Sequence, residues 1–383
     1  MPGCTVCGTD LGAPIYRSGR AHSLTTMNTL VKGETQVFFC DTCGHAQTNA
    51  LPDLERFYAE EYEINLDGED DDQLYAVVGG REVYRSEHQA NVLADKIDLS
   101  RFRRVLDYGC AKAPTLRSAR ENAPRMEAYL FDVTDKYIPF WEKFPEPRYY
   151  AAFQPDPAWS GHIDVVLSFY ALEHVAELNE IIGNVKALLR DGGYFYFIVP
   201  NMYANAADFI VADHVNHFSR ASLTYMLGNH GFTDIEIDEE AHAAAFVVMA
   251  RIDHTKAHGQ TSLPDFAADR AKACELAGFW SGLTARITAF EAGLDAGLPR
   301  AIYGAGIYGN YIYSCLDQPE KITHFVDQNK FLAGKRMQGC PVVPPGTYSD
   351  DPAALFVGLN PRIARNAMAE TFAGRALEFF FLD

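Results

Sequence analysis

The sequence predicts an α/β protein built around a mostly parallel central sheet, with a small cysteine module before it and a smaller α/β unit after it. Residues 99–252 alternate apolar strand patterns with helical patterns, which indicates a parallel sheet. Two Cys-x-x-Cys pairs precede that region, and a second strand–turn–helix pattern begins at Arg300. With 383 residues, the chain is long enough for two or three domains with cores of their own.

The patterns divide the chain into five predicted segments. In order, these are a cysteine module at 1–55, a helical connector at 56–98, the central sheet at 99–252, a helical linker at 253–297 and a C-terminal α/β unit at 298–383. The connector begins with a predicted helix, LERFYAEEY, and ends in a second helix from Tyr84 to Ile97. The acidic stretch between them is most simply a solvated loop.

The composition excludes two classes of partner. Lys and Arg number 33 against 51 Asp and Glu, which gives a formal net charge of −18. A basic footprint for nucleic acid is therefore missing, and an anionic membrane surface would repel the chain. The sequence starts without a basic and then apolar leader, and no window approaches the length of a membrane span, so we expect a cytoplasmic protein. Its oligomeric state stays open.

Doubled Cys-x-x-Cys pairs predict a metal site near the N-terminus. The ligands would be Cys4, Cys7, Cys40 and Cys43, and a glycine that permits a tight turn follows each pair. Four thiolates close a tetrahedral site, which suits structural zinc and leaves no position open for catalysis. Two unrelated buried pairs or a redox pair are the alternatives, but doubled pairs in a chain without a leader favour metal.

Four phrases in residues 105–201 place polar side chains where successive strands end. They are VLDYGC, YLFDVTD, DVVLSFYALEHV and LLRDGGYFYFIVPN, in that order. In an open parallel sheet, ligands bind at the carboxyl ends of the strands, so we expect a nucleoside site there. Its predicted residues are Asp107, Gly109 and Cys110 after the first strand, Asp132 and Val133 after the second, Gln154 after the third, and Ser168 and Phe169 in the fourth.

Several of these residues have an expected chemical role. Asp107 would orient the first loop or meet an ammonium group of the ligand, and Gly109 lets the backbone pass close to it. A carboxylate at Asp132 can accept both ribose hydroxyls, and Gln154 stands where an adenine edge would lie. Together the phrases resemble class I S-adenosylmethionine-dependent methyltransferases, which implies a Rossmann-like sheet and S-adenosylmethionine as the cofactor.

One loop departs from the pattern of that family. The family usually carries Gly-x-Gly-x-Gly after the first strand, whereas this chain reads Ala111-Lys112-Ala113-Pro114 after Cys110. Alanine adds only a methyl group, so the backbone can still approach the ligand closely if both alanines adopt negative φ angles. Pro114 suits the first turn of a helix. Lys112 is expected either to be solvated or to approach the methionyl carboxylate.

Three histidines are predicted to face the same edge of the sheet. His174 follows the fourth strand in LEHV, whereas His214 and His217 lie in DHVNHFSRASL, beyond the fifth. Histidine exchanges protons near neutral pH, and an adjacent carboxylate such as Asp213 can fix its tautomer. We therefore predict an acid–base role, most strongly for His214 and His217. Packing of His174 and a zinc or iron site are the alternatives.

The phrase IYGAGIYGNYIYS in the C-terminal unit has the spacing of a dinucleotide-binding turn. Gly304, Gly306 and Gly309 follow a strand, and Asp327 ends the next strand at the distance of a dinucleotide acid. The unit is short for a complete dinucleotide fold, so NAD binding, a cradle for a substrate diphosphate and packing alone all stay open. The predicted substrate contacts are Tyr170, Asn201, Tyr203, Gly304, Gly306, Tyr308 and Asp327.

The order of the three parts resembles one family, the nucleotide-sugar C-methyltransferases of deoxysugar pathways. The matching pieces are CTVCG with FFCDTCGHAQT, then LEHV, then DHVNHFSRASL, then IYGAGIYGNYIYS with FVDQNKFLAGKRMQGCPVVPP. The resemblance implies a nucleotide-activated keto-sugar as substrate and a base that removes its C3 proton before methyl transfer. His214 carries over as that base, while Asp213 shortens the family's glutamate and Val211 replaces its tyrosine.

Some points stay open within this resemblance. The family's N-terminal active-site tyrosine matches Tyr75 or Tyr84, and we favour Tyr84 because it begins the helix that leads to the first strand. The acceptor atom could be carbon, oxygen or nitrogen, and the sequence does not specify the sugar or the nucleotide. Two other classes are alternatives: an NAD-dependent sugar-nucleotide oxidoreductase or epimerase, and an inactive zinc-bearing protein that binds sugar nucleotides.

Overall fold

A computed structural model describes residues 2–50, 72, 74–255 and 266–383 of the chain. The predicted helix LERFYAEEY and most of the acidic stretch after it lie outside these residues. The helices are α1 (Arg85–Lys96), α2 (Pro114–Arg120), α3 (Ile138–Trp141), α4 (Leu178–Leu188), α5 (Arg220–Asn229), α6 (Ala267–Gly293), α7 (Ile307–Cys315) and α8 (Pro361–Thr371).

The strands of the described residues form two larger and three smaller sheets. They are β1 (Tyr16–Arg17), β2 (His22–Leu24), β3 (Leu30–Lys32), β4 (Gln36–Phe39), β5 (Ala46–Thr48), β6 (Leu74–Val78), β7 (Arg81–Tyr84), β8 (Arg104–Tyr108), β9 (Glu127–Asp132), β10 (Arg148–Ala152), β11 (Ile163–Phe169), β12 (Leu189–Pro200), β13 (Asn216–His217), β14 (Phe232–Asp238), β15 (Ala245–Ile252), β16 (Arg300–Tyr303), β17 (Ile322–Val326), β18 (Arg336–Met337), β19 (Cys340–Val343), β20 (Ala353–Val357) and β21 (Leu377–Phe380).

The chain forms two compact units, each assembled from separate stretches of sequence. The first unit comprises residues 1–14, 38–208 and 213–273, and the second comprises 15–37, 209–212 and 274–383. The larger sheet and the cysteine pairs belong to the first unit. The smaller sheet belongs to the second.

The sheet of the first unit has seven strands in the order β10-β9-β8-β11-β12-β15-β14. The five strands from β8 to β12 run parallel, whereas β15 is antiparallel to both of its neighbours. The chain reverses its direction of winding between β8 and β11, and a crevice opens at the carboxyl ends of strands at such a point. The predicted α/β class with a mostly parallel central sheet is confirmed.

Both faces of this sheet are covered by helices, which explains its nearly continuous apolar strands. Successive side chains alternate between faces, so Val105 joins one core cluster and Leu106 the other. The first cluster includes Leu93 of α1 and Leu116 of α2. The opposite cluster takes Ile182 from α4, together with apolar side chains of α5. The strand ends, and not the faces, are therefore left for ligands.

The sheet of the second unit has six strands in the order β18-β19-β17-β16-β20-β21. Its pairs are parallel except for β18 with β19. Ala301, Leu355 and Val357 lie in its core, together with Met368 of α8. The C-terminal region is thus a small α/β unit, as the sequence predicts.

Within the described residues, no helix is both long enough and apolar enough to cross a membrane.

Candidate active site

The first part of the site lies where β8 and β9 end. Asp132 is buried, and its Oδ2 accepts a hydrogen bond from the Ala111 amide at 2.9 Å. Asp107 is only 2% exposed, and its Oδ1 is buried with no hydrogen-bond partner. Burial, and then the charge of Asp132, raise the pKa of Asp107 to about 8. A cationic group of a ligand would stabilise the ionised form of this carboxyl.

The loop after β8 has a different backbone from the one that the sequence suggests. The φ angles of Ala111 and Ala113 are +45° and +56°, so the condition of negative φ angles is not met. Both alanines occupy the left-handed region that glycine enters without strain. The loop therefore keeps the conformation of a glycine-rich turn although two of the glycines are missing.

Lys112 is buried, which contradicts the expectation of a solvated side chain. Its Nζ lies 5.0 Å from the centre of the Phe140 ring, over the ring face. An aromatic face attracts a cation at this distance. The lysine therefore packs beside the loop.

Apolar side chains are exposed at the same edge of the sheet. Val133 is 69% exposed although it follows the buried strand β9, and Phe153, which follows β10, is 62% exposed. Gln154 is also exposed and follows Phe153 directly. Ser168 lies across the crevice in β11, where its hydroxyl donates to the carbonyl of Tyr108 at 2.9 Å. The edge thus combines buried carboxylates with apolar surface that an adenine ring could cover.

The loop that follows β8 (residues 109–113), which we call the cofactor loop, is in close contact with the turn after β11. Gly109 has a φ of +75°, and a Cβ placed on it would lie 2.8 Å from the Cβ of Ala171. Glu173 and His174 come two and three residues after Ala171. Any side chain at position 109 would push this turn away. The glycine therefore sets the distance between the two halves of the site.

The second half of the site is a cluster of histidines and carboxylates. His214 Nδ1 hydrogen-bonds to Oδ1 of Asp208, and His217 Nδ1 lies 3.0 Å from Oδ2 of the same carboxylate. Asp208 is buried, and its pKa lies well below the ordinary value because the histidines outweigh the effect of burial. Sequence reasoning missed Asp208, which sits in an apolar phrase, Ala-Asp-Phe-Ile, without a recognisable motif.

His174 faces this cluster from the turn after β11. Its Nδ1 donates to the backbone carbonyl of Asp213 at 2.8 Å, and its ring centre lies 4.8 Å from that of His214. The Asp213 carboxylate is fully buried and lies 3.9 Å from the same nitrogen. The structure thus brings His174, Asp213 and His214 into contact, whereas the sequence predicted these residues without their relative positions.

Glu173 is a further member that sequence reasoning missed, although it stands beside His174 in LEHV. Its Oε2 is buried without a hydrogen-bond partner, and burial raises the pKa of Glu173 to about 7. Ligand atoms of Glu173, His174 and His214 lie within 4.8 Å of one another. The signal in the sequence was a carboxylate directly before a histidine at a strand end.

His174 and His214 differ in their affinity for protons. Burial, and then the charge of His214, lower the pKa of His174 to about 4. Burial alone would lower the pKa of His214 as well, but the Asp208 carboxylate beside it raises that pKa to about 9. At neutral pH the cluster therefore holds a neutral imidazole next to an imidazolium.

The predicted tyrosines lie in different surroundings. Tyr84 donates to Glu82 at 2.8 Å. Tyr75 stacks on His88 with ring centres 3.8 Å apart and lies edge-on to His242 at 5.0 Å. Tyr170 Oη lies 3.3 Å from Nδ1 of that same His242. Tyr75, the choice not favoured from the sequence, therefore shares a neighbour with Tyr170 at the end of β11.

The two predicted substrate contacts after β12 are tied into the first unit. Asn201 is buried, and its Oδ1 accepts from the amide of Tyr203 at 3.1 Å. The Tyr203 hydroxyl donates to the carbonyl of Asp269 at 3.1 Å. These bonds give both residues a structural role.

The glycines of the C-terminal unit are needed for close packing. A Cβ on Gly309 would lie 1.9 Å from the carbonyl oxygen of Gly304, whereas one on Gly306 would meet nothing within 4 Å. Asp327 Oδ2 accepts from the Ala305 amide at 2.7 Å. Tyr308 is buried and stacks on Trp280. Packing thus accounts for Gly304 and Gly309, and Gly306 alone borders open space.

The four N-terminal cysteines converge. The Sγ atoms of Cys4 and Cys43 are 3.6 Å apart, and those of Cys7 and Cys40 are 3.4 Å apart. All four lie within 4.8 Å of one another. A tetrahedral zinc ion with bonds near 2.3 Å would hold sulfurs about 3.8 Å apart, so the cluster fits such an ion.

The electrostatics of the cysteine cluster also fit a cation. Hydrogen bonds to neighbouring cysteines, of which the bond to Cys4 contributes most, raise the pKa of Cys43 far above its ordinary range. The bond to Cys4 also contributes most to lowering the pKa of Cys7. Thiols this close cannot all ionise on their own, and a bound metal would stabilise four thiolates.

Comparisons with known proteins agree with the geometry of the first unit. Residues 81–237 match a family model described as a methyltransferase domain. The C-methyltransferase NovU of Streptomyces niveus is 29% identical over 82 residues, which are 20% of this chain and 20% of that protein. The chain thus spans about a fifth of the length of the curated relative it matches.

Three solved structures are similar over less than half of the chain. Human N-acetylserotonin methyltransferase in complex with S-adenosylmethionine is 14% identical, with a TM-score of 0.39 over 44% of this chain and 53% of that one. The CurJ carbon methyltransferase is 18% identical, with a TM-score of 0.35 over 42% and 50%. A methyltransferase from Archaeoglobus fulgidus is 16% identical, with a TM-score of 0.35 over 43% and 92%. These TM-scores are below 0.5, so the class of the domain rests on the family match and the strand order.

Proposed function

We propose that the chain, which carries a class I S-adenosylmethionine-dependent methyltransferase domain at residues 81–237, methylates a carbon atom of a nucleotide-activated keto-sugar after a histidine has deprotonated that carbon. One observation carries this proposal. The contact between Gly109 and Ala171 sets the cofactor loop beside the turn that bears Glu173 and His174. A methyl donor and a proton acceptor would therefore meet in one crevice.

The residues at the ends of β8 and β9 would hold the cofactor. The unpartnered Oδ1 of Asp107 suits the ammonium group of the methionyl part, and Asp132 suits the ribose hydroxyls. Val133 and Phe153 offer apolar surface to the adenine. When bound, S-adenosylmethionine supplies an electrophilic methyl group.

The electrostatics favour His174 as the base. Its Nδ1 donates to the carbonyl of Asp213, which leaves the lone pair of the neutral ring on Nε2. Because its pKa is lowered to about 4, His174 is unprotonated at neutral pH and can accept the proton from the sugar carbon. The sequence-based choice of His214 as the base stays a prediction and is the competing assignment.

His214 would stabilise the enolate that deprotonation creates. Its pKa of about 9 keeps it positively charged, and Asp208 fixes its ring orientation. A fixed cation beside a developing oxyanion lowers the barrier of such a step. Methylation of a hydroxyl does not create an enolate, so the cationic histidine supports a carbon acceptor. The curated relative is likewise named a C-methyltransferase.

Zinc in the cysteine module is part of the same proposal. The four thiolates would complete a closed tetrahedral site, so the ion would stabilise the fold and would not contact substrate. The spacing of the four sulfurs supports this role.

The first test is deprotonation in isolation. We expect His174→Gln to abolish exchange of the sugar's C3 proton with solvent deuterium and to lower kcat for methylation by at least about 100-fold, without weakening the binding of S-adenosylhomocysteine. His162→Gln is the matched control, because His162 is exposed. Proton exchange is followed by NMR and methylation by mass spectrometry, with nucleoside-diphosphate 4-keto-deoxysugars as acceptors. Normal exchange in His174→Gln would exclude His174 as the base.

The pH dependence separates the two assignments of the base. If His174 is the base and His214 the cation, kcat/KM forms a bell with limbs near pH 4 and pH 9. If His214 is the base, the rate rises towards pH 9, because deprotonation of His214 activates the enzyme. A rising profile would therefore overturn the assignment to His174 and leave methyl transfer itself intact.

A further inference from the structure

We propose that Asn216 is a positioning residue through which the cysteine module fixes the Glu173–His174 turn against His214. The inference rests on the proposed function, because it concerns the groups that would carry out deprotonation. Asn216 lies between His214 and His217 in sequence and is 1% exposed. Its side chain joins the module on one side to the catalytic turn on the other.

The amide nitrogen of Asn216 holds the turn after β11. Nδ2 donates to the carbonyl of Leu172 at 3.0 Å and to the carbonyl of Val175 at 2.6 Å. These carbonyls flank Glu173 and His174, so both ends of the catalytic pair are anchored to one side chain. Because carbonyls only accept, the amide must present its nitrogen here.

The amide oxygen of Asn216 is held by the cysteine module. Oδ1 accepts from the hydroxyl of Thr5 at 2.8 Å and lies 3.1 Å from Nε2 of His45. Thr5 sits between the cysteines of the first pair, and His45 follows the second pair by two residues. All four hydrogen-bonding positions of the carboxamide are therefore occupied, two by the module and two by the catalytic turn.

The backbone strengthens the same connection. Asn216 pairs with Gln47, and His217 with Ala46, in the antiparallel contact of β13 with β5. Gln47 also accepts from the amide of Thr5 at 2.8 Å. The module thus holds the strand on which Asn216 lies, and Asn216 passes that placement to the turn. Asn216 and His45 are buried, so one lost donor leaves a buried partner unsatisfied and shifts its neighbours.

Asn216→Asp is the sharpest variant, because it keeps the shape and replaces the two donors with an oxygen that faces two carbonyls. Asn310→Asp is its matched control in the second unit. Asn310 is equally buried, and its Nδ2 donates to the carbonyls of Ala305 and Gly306, each at 3.0 Å. Thr5→Val removes the hydrogen bond to Oδ1 of Asn216, whereas Thr5→Ser keeps the hydroxyl that donates it.

The readout is the set of histidine ring signals in the full-length, zinc-loaded protein, followed by NMR over a pH titration. We expect Asn216→Asp to move the signals and titration midpoints of His174 and His214 while zinc content stays at one ion per chain. Thr5→Val should cause a smaller movement of the same kind, Thr5→Ser should resemble the wild type, and Asn310→Asp should leave both signals in place. In the methylation assay, kcat should fall about 100-fold in Asn216→Asp with KM for S-adenosylmethionine unchanged.

Two results would overturn the proposal. One is an Asn216→Asp protein that retains zinc and has wild-type signals for His174 and His214. The other is an equal movement of these signals in Asn310→Asp, which would show a general loss of stability. If the wild type methylates no keto-sugar, the proposed function fails, whereas the histidine signals still decide the role of Asn216.

Discussion

Single residues in the cofactor loop adopt conformations that their own preferences oppose. Ala111 has a φ of +45°, yet its amide donates to Asp132 and its carbonyl accepts from Trp141 Nε1 at 2.7 Å. These two bonds hold its peptide groups on both sides. A left-handed alanine costs about 1–2 kcal/mol, and the surrounding hydrogen bonds offset that cost.

Ala111→Gly should therefore stabilise the protein. We expect the free energy of unfolding to rise by about 1 kcal/mol, because glycine adopts positive φ without strain and this gain exceeds its greater entropy in the unfolded chain. Ala119→Gly, in the helix that follows the loop, should lower it by about 1 kcal/mol. Urea denaturation measures both. Destabilisation by Ala111→Gly would show that the methyl group contributes more through packing than it costs through strain.

The same scale shows what sequence could and could not predict about the site. Asp107, Asp132 and His174 stand at or just after the ends of apolar strands, so the strand pattern and the rule that ligands bind at strand ends located them. Asp208 carries no such signal, because its partners are six and nine residues away and a loop brings them together. The positive φ of Ala111 was also unpredictable, because tertiary hydrogen bonds overrode the preference of alanine.

At the scale of elements, the cysteine module and the short strand β13 stabilise one another. β13 has only two residues, and it pairs with β5, which begins three residues after Cys43. Thr48 adds a contact of 2.7 Å between its hydroxyl and Nε2 of His217. A strand this short has no sequence signal of its own, whereas β8, β9, β11 and β12 were predictable from apolar runs. We therefore expect the stability of β13 to depend on the module.

Removing the metal should therefore loosen β13. We expect Cys43→Ser, or treatment of the wild type with a strong chelator, to release zinc and to increase hydrogen exchange at the amides of Asn216 and His217. Cys274→Ser is the control, since Cys274 is exposed and lies outside the cluster. Mass spectrometry after exchange measures the effect. Unchanged protection after complete loss of zinc would show that β13 is stable without the module.

At the scale of the whole molecule, the buried ionisable groups predict how stability depends on pH. The folded-state pKa of His214 is raised to about 9, above the ordinary 6.5. The stability that His214 contributes is therefore fully present below pH 6.5 and is lost as pH rises through 9. The folded-state pKa of Asp107 is raised from 3.8 to about 8. The free energy of unfolding therefore also decreases as pH rises from about 4 towards 8, because ionisation of Asp107 is less favourable in the folded protein.

We accordingly expect the urea midpoint of the wild type to fall between pH 6.5 and pH 9. Asp208→Asn should unfold more easily at pH 6.5, because His214 loses its counter-charge, and its midpoint should vary less across the same interval. His162→Gln, which alters an exposed ring, should follow the wild type. A wild-type midpoint that stays constant from pH 6.5 to 9 would contradict a charged, ion-paired His214.

The bond between Thr5 and Asn216 also has a consequence for the order of folding during synthesis. The two residues are 211 positions apart. A ribosome that adds 5–20 residues per second needs roughly 10–40 s to make that stretch. During that time the cysteine pairs could already bind the proposed zinc ion, but the residue that accepts the hydrogen bond of Thr5 has not yet been synthesised. The hydrogen bond from the N-terminal module to Asn216 can therefore form only after β13 has left the ribosome.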